Sequence, residues 1–125
     1  MTIKVSIGEL FDKITILEIK RLQITEADKL ANVLKEYNYL RKKALKLDPT
    51  YTKDTHYKKL LKVNNLLWNI EDLKRQHERT KTFDANFIEL ARSVYIMNDQ
   101  RAKIKKAINK KYNSEIVEEK SHKKY

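Results

Sequence analysis

Hydrophobic residues recur every three or four positions over most of the chain, which predicts a protein made almost entirely of α-helices. In four long stretches this spacing places the apolar side chains on one face of a helix. Polar and turn-forming residues separate the stretches. The predicted helices span residues 7–23, 26–47, 55–79 and 84–112.

Two of the helix boundaries are marked by residues that start or stop helices. Ser6 and Glu9 form a Ser-x-x-Glu capping box, so the first helix is expected to begin near Ile7. Asp48 precedes Pro49, and a proline pushes the residue before it out of helical geometry. The second helix is therefore expected to end before this pair.

The two ends of the chain predict short strands, at residues 2–5 and 115–118. We expect these strands to pair with each other, because either one alone is marginal. The expected fold is all-α: an antiparallel four-helix bundle with long helices and a minor two-stranded pairing of the N- and C-terminal segments. A length of 125 residues suits one domain, so residues 1–125 are predicted to form a single helical domain.

Two predicted helices have wider apolar surfaces than one groove of a bundle covers. On the first helix two isoleucines lie nearly opposite the main stripe, and on the third helix a second stripe widens the apolar arc. Such a helix is either central in its own bundle or shared with another subunit. We expect a homodimer, because exposed apolar patches usually mark interfaces. The candidate interface residues are Ile16, Ile19, Tyr57, Leu61 and Trp68.

Polar and charged side chains interrupt the apolar stripes of the first and fourth helices. An unpaired buried charge is unfavourable, so these groups should pair or meet a ligand. One interpretation is a structural ion pair between Glu18 and Arg101 that fixes helix register, and another is exposure at a helix edge. A third is an anion-binding site. Its candidate residues are Arg21, Asn98, Arg101 and Lys105.

The charge balance is strongly basic. Lysine and arginine total 28 against 17 aspartates and glutamates, for a formal net charge of +11. A basic chain attracts nucleic acid or acidic proteins, and Lys103, Lys106 and Lys110 share one outward face of the fourth helix. An A/T-rich genome also raises lysine content through its codons, without any anionic partner. Both explanations stay open at the level of sequence.

Several classes of function are disfavoured. One glycine and no cysteine exclude glycine-rich phosphate loops, thiolate zinc sites and cysteine nucleophiles. His56, His77 and His122 lack the His-x-x-x-His spacing of a helical metal site, so no metal, cofactor or catalytic residue is predicted. No apolar run has the length of a membrane span, and the N-terminus lacks an apolar signal core, which favours a cytoplasmic location.

Three segments carry a resemblance to a known family. Residues 5–20, 98–105 and 115–121 are similar to segments of a family of short uncharacterised helical proteins from bacteria and tailed phages. The resemblance covers nearly the whole chain. It implies no particular chemistry, but it places Glu18, Asn98 and Arg101 within family-like motifs.

A weaker likeness is to the all-helical chorismate mutases, which grip a dicarboxylate between long helices with arginines and lysines. Arg21, Arg41 and Arg101 would take that part, but Lys13 is a poor substitute for an arginine expected early in the first helix.

The leading expectation is a non-enzymatic, dimeric interaction or scaffold protein. The alternatives are a basic nucleic-acid-binding protein and a small helical enzyme or binder acting on an anionic metabolite.

Overall fold

The computed structural model describes residues 1–120, which contain four α-helices, one short 3₁₀ turn and no β-strand. The all-α class is confirmed, whereas the antiparallel direction of the bundle stays a prediction. Helix α1 spans Ile7–Gln23, α2 spans Ala27–Leu47, α3 spans Thr55–Thr80 and α4 spans Ala85–Lys111; the 3₁₀ turn spans Tyr51–Lys53.

Side-chain caps start three of these helices. Ser6 Oγ accepts a hydrogen bond from the backbone N–H of Glu9 at 3.0 Å, as the capping box predicts. Asp54 Oδ1 accepts from two backbone N–H groups of α3, and Asp84 Oδ1 accepts from one backbone N–H of α4. These caps satisfy N–H groups that have no partner inside the helix.

The predicted strand pair does not form within the described chain. Residues 2–5 and 115–118 are not strands, and no backbone hydrogen bond joins the two segments. They meet through side chains instead: Lys4 Nζ lies 3.0 Å from Glu115 Oε1. The two segments therefore contact each other without the backbone hydrogen bonds of a β-sheet.

Helix α1 is the centre of the fold. It contacts α2, α3 and α4, whereas no Cα atom of α2 lies within 8 Å of α3 or α4 in the described chain. Phe11 and Ile14 of α1 are fully buried together with Leu60 of α3 and Ile108 of α4. The Phe11 ring also lies between 5.3 and 5.9 Å from the rings of three tyrosines. The main apolar stripe of α1 is thus buried within one copy.

This central position corrects part of the predicted interface. Ile19 is 5% exposed and Tyr57 is 2% exposed, so neither side chain is available to a partner. Ile19 is covered because α1 has neighbours on several sides, and Tyr57 is held in place as its hydroxyl donates to Glu18 at 2.8 Å. The other three candidates are half-buried, and their role stays a prediction: Ile16, Leu61 and Trp68.

The second half of α3 and the first half of α4 form a helical arm, which we define as residues 65–100. No residue of the arm is buried. The ion pairs and side-chain hydrogen bonds of residues 69–94 join arm residues to one another. Helix α1 has 17 residues and cannot cover α3 and α4, with 26 and 27 residues, along their whole length.

Candidate functional site

A buried polar cluster lies where α1 meets α3 and α4, and comprises Asp12, Thr15, Asn64 and Arg101. Asn64 Nδ2 donates to Asp12 Oδ1 and to Thr15 Oγ1, both at 2.8 Å. Arg101 Nε donates to Asp12 Oδ1 at 2.8 Å, and Arg101 Nη2 donates to Asp12 Oδ2. Asp12, Thr15 and Asn64 are all at most 5% exposed.

Both oxygens of the Asp12 carboxylate in this ion pair accept hydrogen bonds. A buried charge is tolerated only when it is paired and its remaining donors and acceptors are satisfied, and Asp12 meets both conditions. The hydrogen bond with Asp12 raises the pKa of Arg101 above its usual value, against the opposing effect of burial. The cluster therefore acts as a structural link between three helices.

The predicted pairing of Glu18 with Arg101 is not the pairing that the structure contains. Glu18 instead accepts from the Tyr57 hydroxyl and lies 3.9 Å from Arg21 Nη2. Glu18 is six residues beyond Asp12, which is about 9 Å along a helix at 1.5 Å per residue. Asp12 occupies the crossing with α4, so Glu18 lies opposite the start of α3.

A second ion pair lies one turn further along α4. Lys105 Nζ is 2.7 Å from Glu9 Oε2 and 3.2 Å from Glu118 Oε1. Burial acts to lower the pKa of Lys105, but the hydrogen bond to Glu9 and the nearby carboxylates raise it above its usual value. Lys105 is thus held as a cation by groups of the same chain.

The backbones of α1 and α4 approach closely at Gly8. Its N–H donates to Asn109 Oδ1 at 2.6 Å, and a Cβ atom at this position would lie 2.6 Å from the carbonyl oxygen of Lys105. Real Cβ atoms essentially never come so near another heavy atom. The one glycine of the chain is therefore required by packing rather than by an unusual backbone conformation.

The candidate anion-binding residues do not converge on an open site in the described chain. Asn98 Oδ1 accepts from Arg101 at 3.4 Å, so these two are neighbours. Arg101 and Lys105 are each paired with a carboxylate. Arg21 is elsewhere, over the ring of Tyr37 on α2 at 4.9 Å. The arrangement supplies little unpaired positive charge for a small anion.

Sequence reasoning missed the residues that hold this cluster together, Asp12, Thr15 and Asn64. A signal was present on α1, where Gly8, Asp12 and Thr15 are spaced i, i+4 and i+7 and so share one face. A face of one glycine and two small polar residues favours close approach by another helix. On α3, Asn64 interrupts the apolar arc in the same way.

A groove of about 320 Å³ lies beside the cluster, at the base of the arm. Its walls include Ile16, Leu67, Trp68 and Arg101. The indole Nε1 of Trp68 is buried and has no hydrogen-bond partner in the described chain. Buried donors are normally paired, so this N–H at the foot of the arm is an exception.

The surface of the arm combines exposed apolar side chains with positive and negative charges that nearly cancel. It contains five basic and six acidic residues, a net charge of −1, whereas the rest of the chain has a net charge of +12. Five of its large hydrophobic side chains are between 41% and 56% exposed. They are Leu66, Leu73, Phe83, Ile88 and Tyr95.

No group of three or more His, Cys, Asp or Glu side chains in residues 1–120 is arranged to hold a metal ion. His56 and His77 lie on different parts of α3, and His122 lies outside the described residues. None of the helices described is long and apolar enough to span a bilayer.

The whole chain corresponds to one protein family. A family model described as a family of unknown function (DUF6165) matches residues 1–124. No curated protein and no solved structure matches the chain.

Proposed function

We propose that this chain, which belongs to the family of unknown function DUF6165, is a non-enzymatic interaction protein whose arm docks against the arm of a second copy. In this proposal the two arms pack side by side and form a four-helix bundle of two α3 and two α4 segments. The rest of each copy projects from the ends of that bundle.

The observation that carries the proposal is the absence of any buried residue in the arm, despite its large apolar side chains. Most helical stability in proteins comes from packing an apolar face against another element. In the arm, α3 and α4 can each cover only one side of the other helix. Exposed apolar surface on the remaining sides marks an interaction surface.

The charge of the arm supports a second copy as its partner. Five basic and six acidic residues are interspersed along the two helices, so two such surfaces can meet without net repulsion. The remainder of the chain, at a net charge of +12, would repel its counterpart strongly at close range. Contact through the arms keeps these basic parts apart.

The groove at the base of the arm supports the same partner. Trp68 lines this groove beside the apolar side chains of Ile16 and Leu67. An apolar side chain from the second copy would fill this groove. The predicted role of Ile16 and Trp68 as interface residues is retained on this basis.

The ion pairs of α4 favour this proposal over a small-anion enzyme. Arg101 and Lys105, the strongest candidates for gripping a dicarboxylate, contact Asp12 and Glu9 instead. A bound anion would have to displace these carboxylates. That exchange is unfavourable where Asp12 is 1% exposed.

The test is the mass of the full chain in solution. Light scattering at micromolar concentration is expected to give about twice the 15.0 kDa of one copy. The double variant Leu66→Lys, Leu73→Lys places two charges on the exposed arm surface and is expected to give a single-copy mass with unchanged helix content.

The matched control is Leu22→Lys, Leu47→Lys, which adds the same two charges at exposed leucines outside the arm. This variant is expected to stay dimeric. A wild-type mass of 15.0 kDa up to about 100 µM, or equal dissociation of both variants, contradicts the proposal.

A further inference from the structure

Lysine is distributed very unevenly along this chain. Residues 41–62 and 101–111 together contain 12 lysines in 33 positions, whereas the 36 residues of the arm contain two. An A/T-rich codon bias would raise lysine content in both regions. The concentration of lysine outside the arm therefore requires another explanation.

The two lysine-rich segments lie together at one end of the protein, which we call the basic end. The 3₁₀ turn contacts both α2 and α3 there. Lys111 Nζ at the end of α4 pairs with Asp54, and the Tyr112 hydroxyl donates to Asp48 Oδ2 at 2.6 Å. These contacts hold the last turns of α2 and α4 beside the first turns of α3.

Most lysines of the basic end have no acidic neighbour. Nine of them are exposed and have no carboxylate within ion-pair distance among residues 1–120. They are Lys42, Lys43, Lys46, Lys53, Lys58, Lys59, Lys62, Lys103 and Lys110.

Helix dipoles account for only part of this arrangement. Cations are favoured near the C-terminal ends of α2 and α4, which suits Lys46 and Lys110. Lys58 and Lys59 lie within the first five residues of α3, where the dipole disfavours a positive charge, and the first turn of α3 has no acidic residue. No carboxylate of residues 1–120 lies within ion-pair distance of Lys58 or Lys59, and Asp54 at the start of α3 pairs with Lys111.

We propose that the basic end binds the phosphate backbone of duplex nucleic acid, without reading its sequence. Lysine is a point charge suited to phosphates, and it is depleted at protein–protein interfaces. The nine exposed cations are all lysines, which lack the planar, fork-shaped donor set of arginine, and Arg41 is the only exposed arginine within residues 41–62 and 101–111. Single-strand binding needs exposed aromatic side chains interleaved with the cations. The aromatic residues within 41–62, Tyr51 and Tyr57, are buried, and residues 101–111 contain none.

The location fits the proposed dimer but does not depend on it. The arm and the basic end share no residue, so a monomer would retain the same lysines. Binding of this kind depends on the release of counterions and falls steeply with salt. Its strength should follow the number of lysines at the basic end rather than the total charge of the chain.

The experiment measures fluorescence anisotropy of a labelled 30-base-pair DNA duplex titrated with the full chain at 50 to 200 mM salt. We expect binding at 50 mM salt, with the same affinity for two unrelated duplex sequences. The logarithm of the association constant should fall linearly with the logarithm of the salt concentration. The triple variant Lys58→Gln, Lys59→Gln, Lys62→Gln should bind at least about tenfold more weakly and reduce the salt slope by about two to three.

The matched control is Lys74→Gln, Arg79→Gln, Lys81→Gln, which removes the same three charges from the arm and should bind like the wild type. Equal weakening in both variants would show attraction to net charge alone and overturn the proposal. So would an absence of binding at 50 mM salt, tighter binding to single-stranded DNA of the same length, or displacement of the duplex by polyglutamate at a lower charge concentration than by unlabelled duplex.

Discussion

Asp12 on α1 and Arg101 on α4 form a two-point ion pair in which Nε and Nη2 of the guanidinium donate to the two carboxylate oxygens. The Asp12 side chain is 1% exposed and the Arg101 side chain is 29% exposed. Asn64 of α3 donates to the same carboxylate at 2.8 Å. One buried carboxylate thus fixes the relative positions of three helices.

Removing the charge of Asp12 is expected to destabilise the fold substantially. In Asp12→Asn, the Arg101 guanidinium loses its partner at a partly buried position, so we expect the free energy of unfolding to fall by about 3 kcal/mol. Urea unfolding followed by circular dichroism measures the loss. Glu26→Gln, at a pair with Lys29 whose side chains are both more than 60% exposed, should cost less than about 0.5 kcal/mol. Equal losses in the two variants would show that the buried Asp12–Arg101 pair contributes no more to stability than an exposed ion pair.

Gly8 is expected to tolerate no larger side chain. Replacing glycine by alanine within a helix normally stabilises the protein, by about 0.5–1 kcal/mol. At Gly8 the added methyl group meets the carbonyl oxygen of Lys105, so Gly8→Ala should lower the free energy of unfolding by about 2 kcal/mol. Asn69→Ala, at an exposed position of α3, is the control and should not destabilise. A Gly8→Ala protein as stable as the wild type would contradict the close approach of α1 and α4.

Asp54 should make stability depend on acidic pH. Burial acts to raise the pKa of Asp54, but the hydrogen bond from Lys111 and two backbone N–H groups lower it below its usual value of 3.8. A lowered pKa contributes stability above the usual value, and this contribution is lost as the pH falls through the folded-state pKa. Asp54→Asn keeps a capping side chain but removes the charge.

We therefore expect Asp54→Asn to cost about 1 kcal/mol at pH 7 and progressively less below pH 3.8. Urea unfolding at pH 7, 4 and 3 measures the difference between wild type and variant. Asp28→Asn, at an exposed position of α2, serves as the control for general acid effects. A difference that stays constant or grows as the pH falls would show that the Asp54 charge does not stabilise the fold.

The elements of the fold could be predicted from local residues, because helix signals are local. Ser6 and the Asp48–Pro49 pair lie at a helix start and a helix end in the structure, and hydrophobic spacing identified four helices. The prediction of terminal strands was wrong because strand formation is not decided locally. Alternation over four residues is a weak signal, and only a partner segment decides whether a ladder forms.

The site could be predicted only in part, because its pairing depends on how helices cross. The sequence indicates that Arg101 is a charge in an apolar seam and predicts Glu18 as its partner, whereas the structure pairs Arg101 with Asp12. Spacing along one helix gives the face of a residue, not the level at which another helix passes. The apolar excess of α1 and α3 is visible in the sequence, but its assignment to Ile19 and Tyr57 is wrong because α1 is central: its neighbours bury Ile19, and Tyr57 packs against α1 itself.

The central claim is that the arms of two copies pack together, and cross-linking by introduced cysteines tests it most directly. The chain has no cysteine of its own, so each single substitution reports on one position. Leu66→Cys, Leu73→Cys and Ile88→Cys report on exposed arm positions, and Leu22→Cys and Leu47→Cys report on exposed positions elsewhere. Under mild oxidation the account predicts rapid disulfide-linked dimers from at least one arm position and none from the other two. Dimers that form equally slowly at all five positions would contradict it.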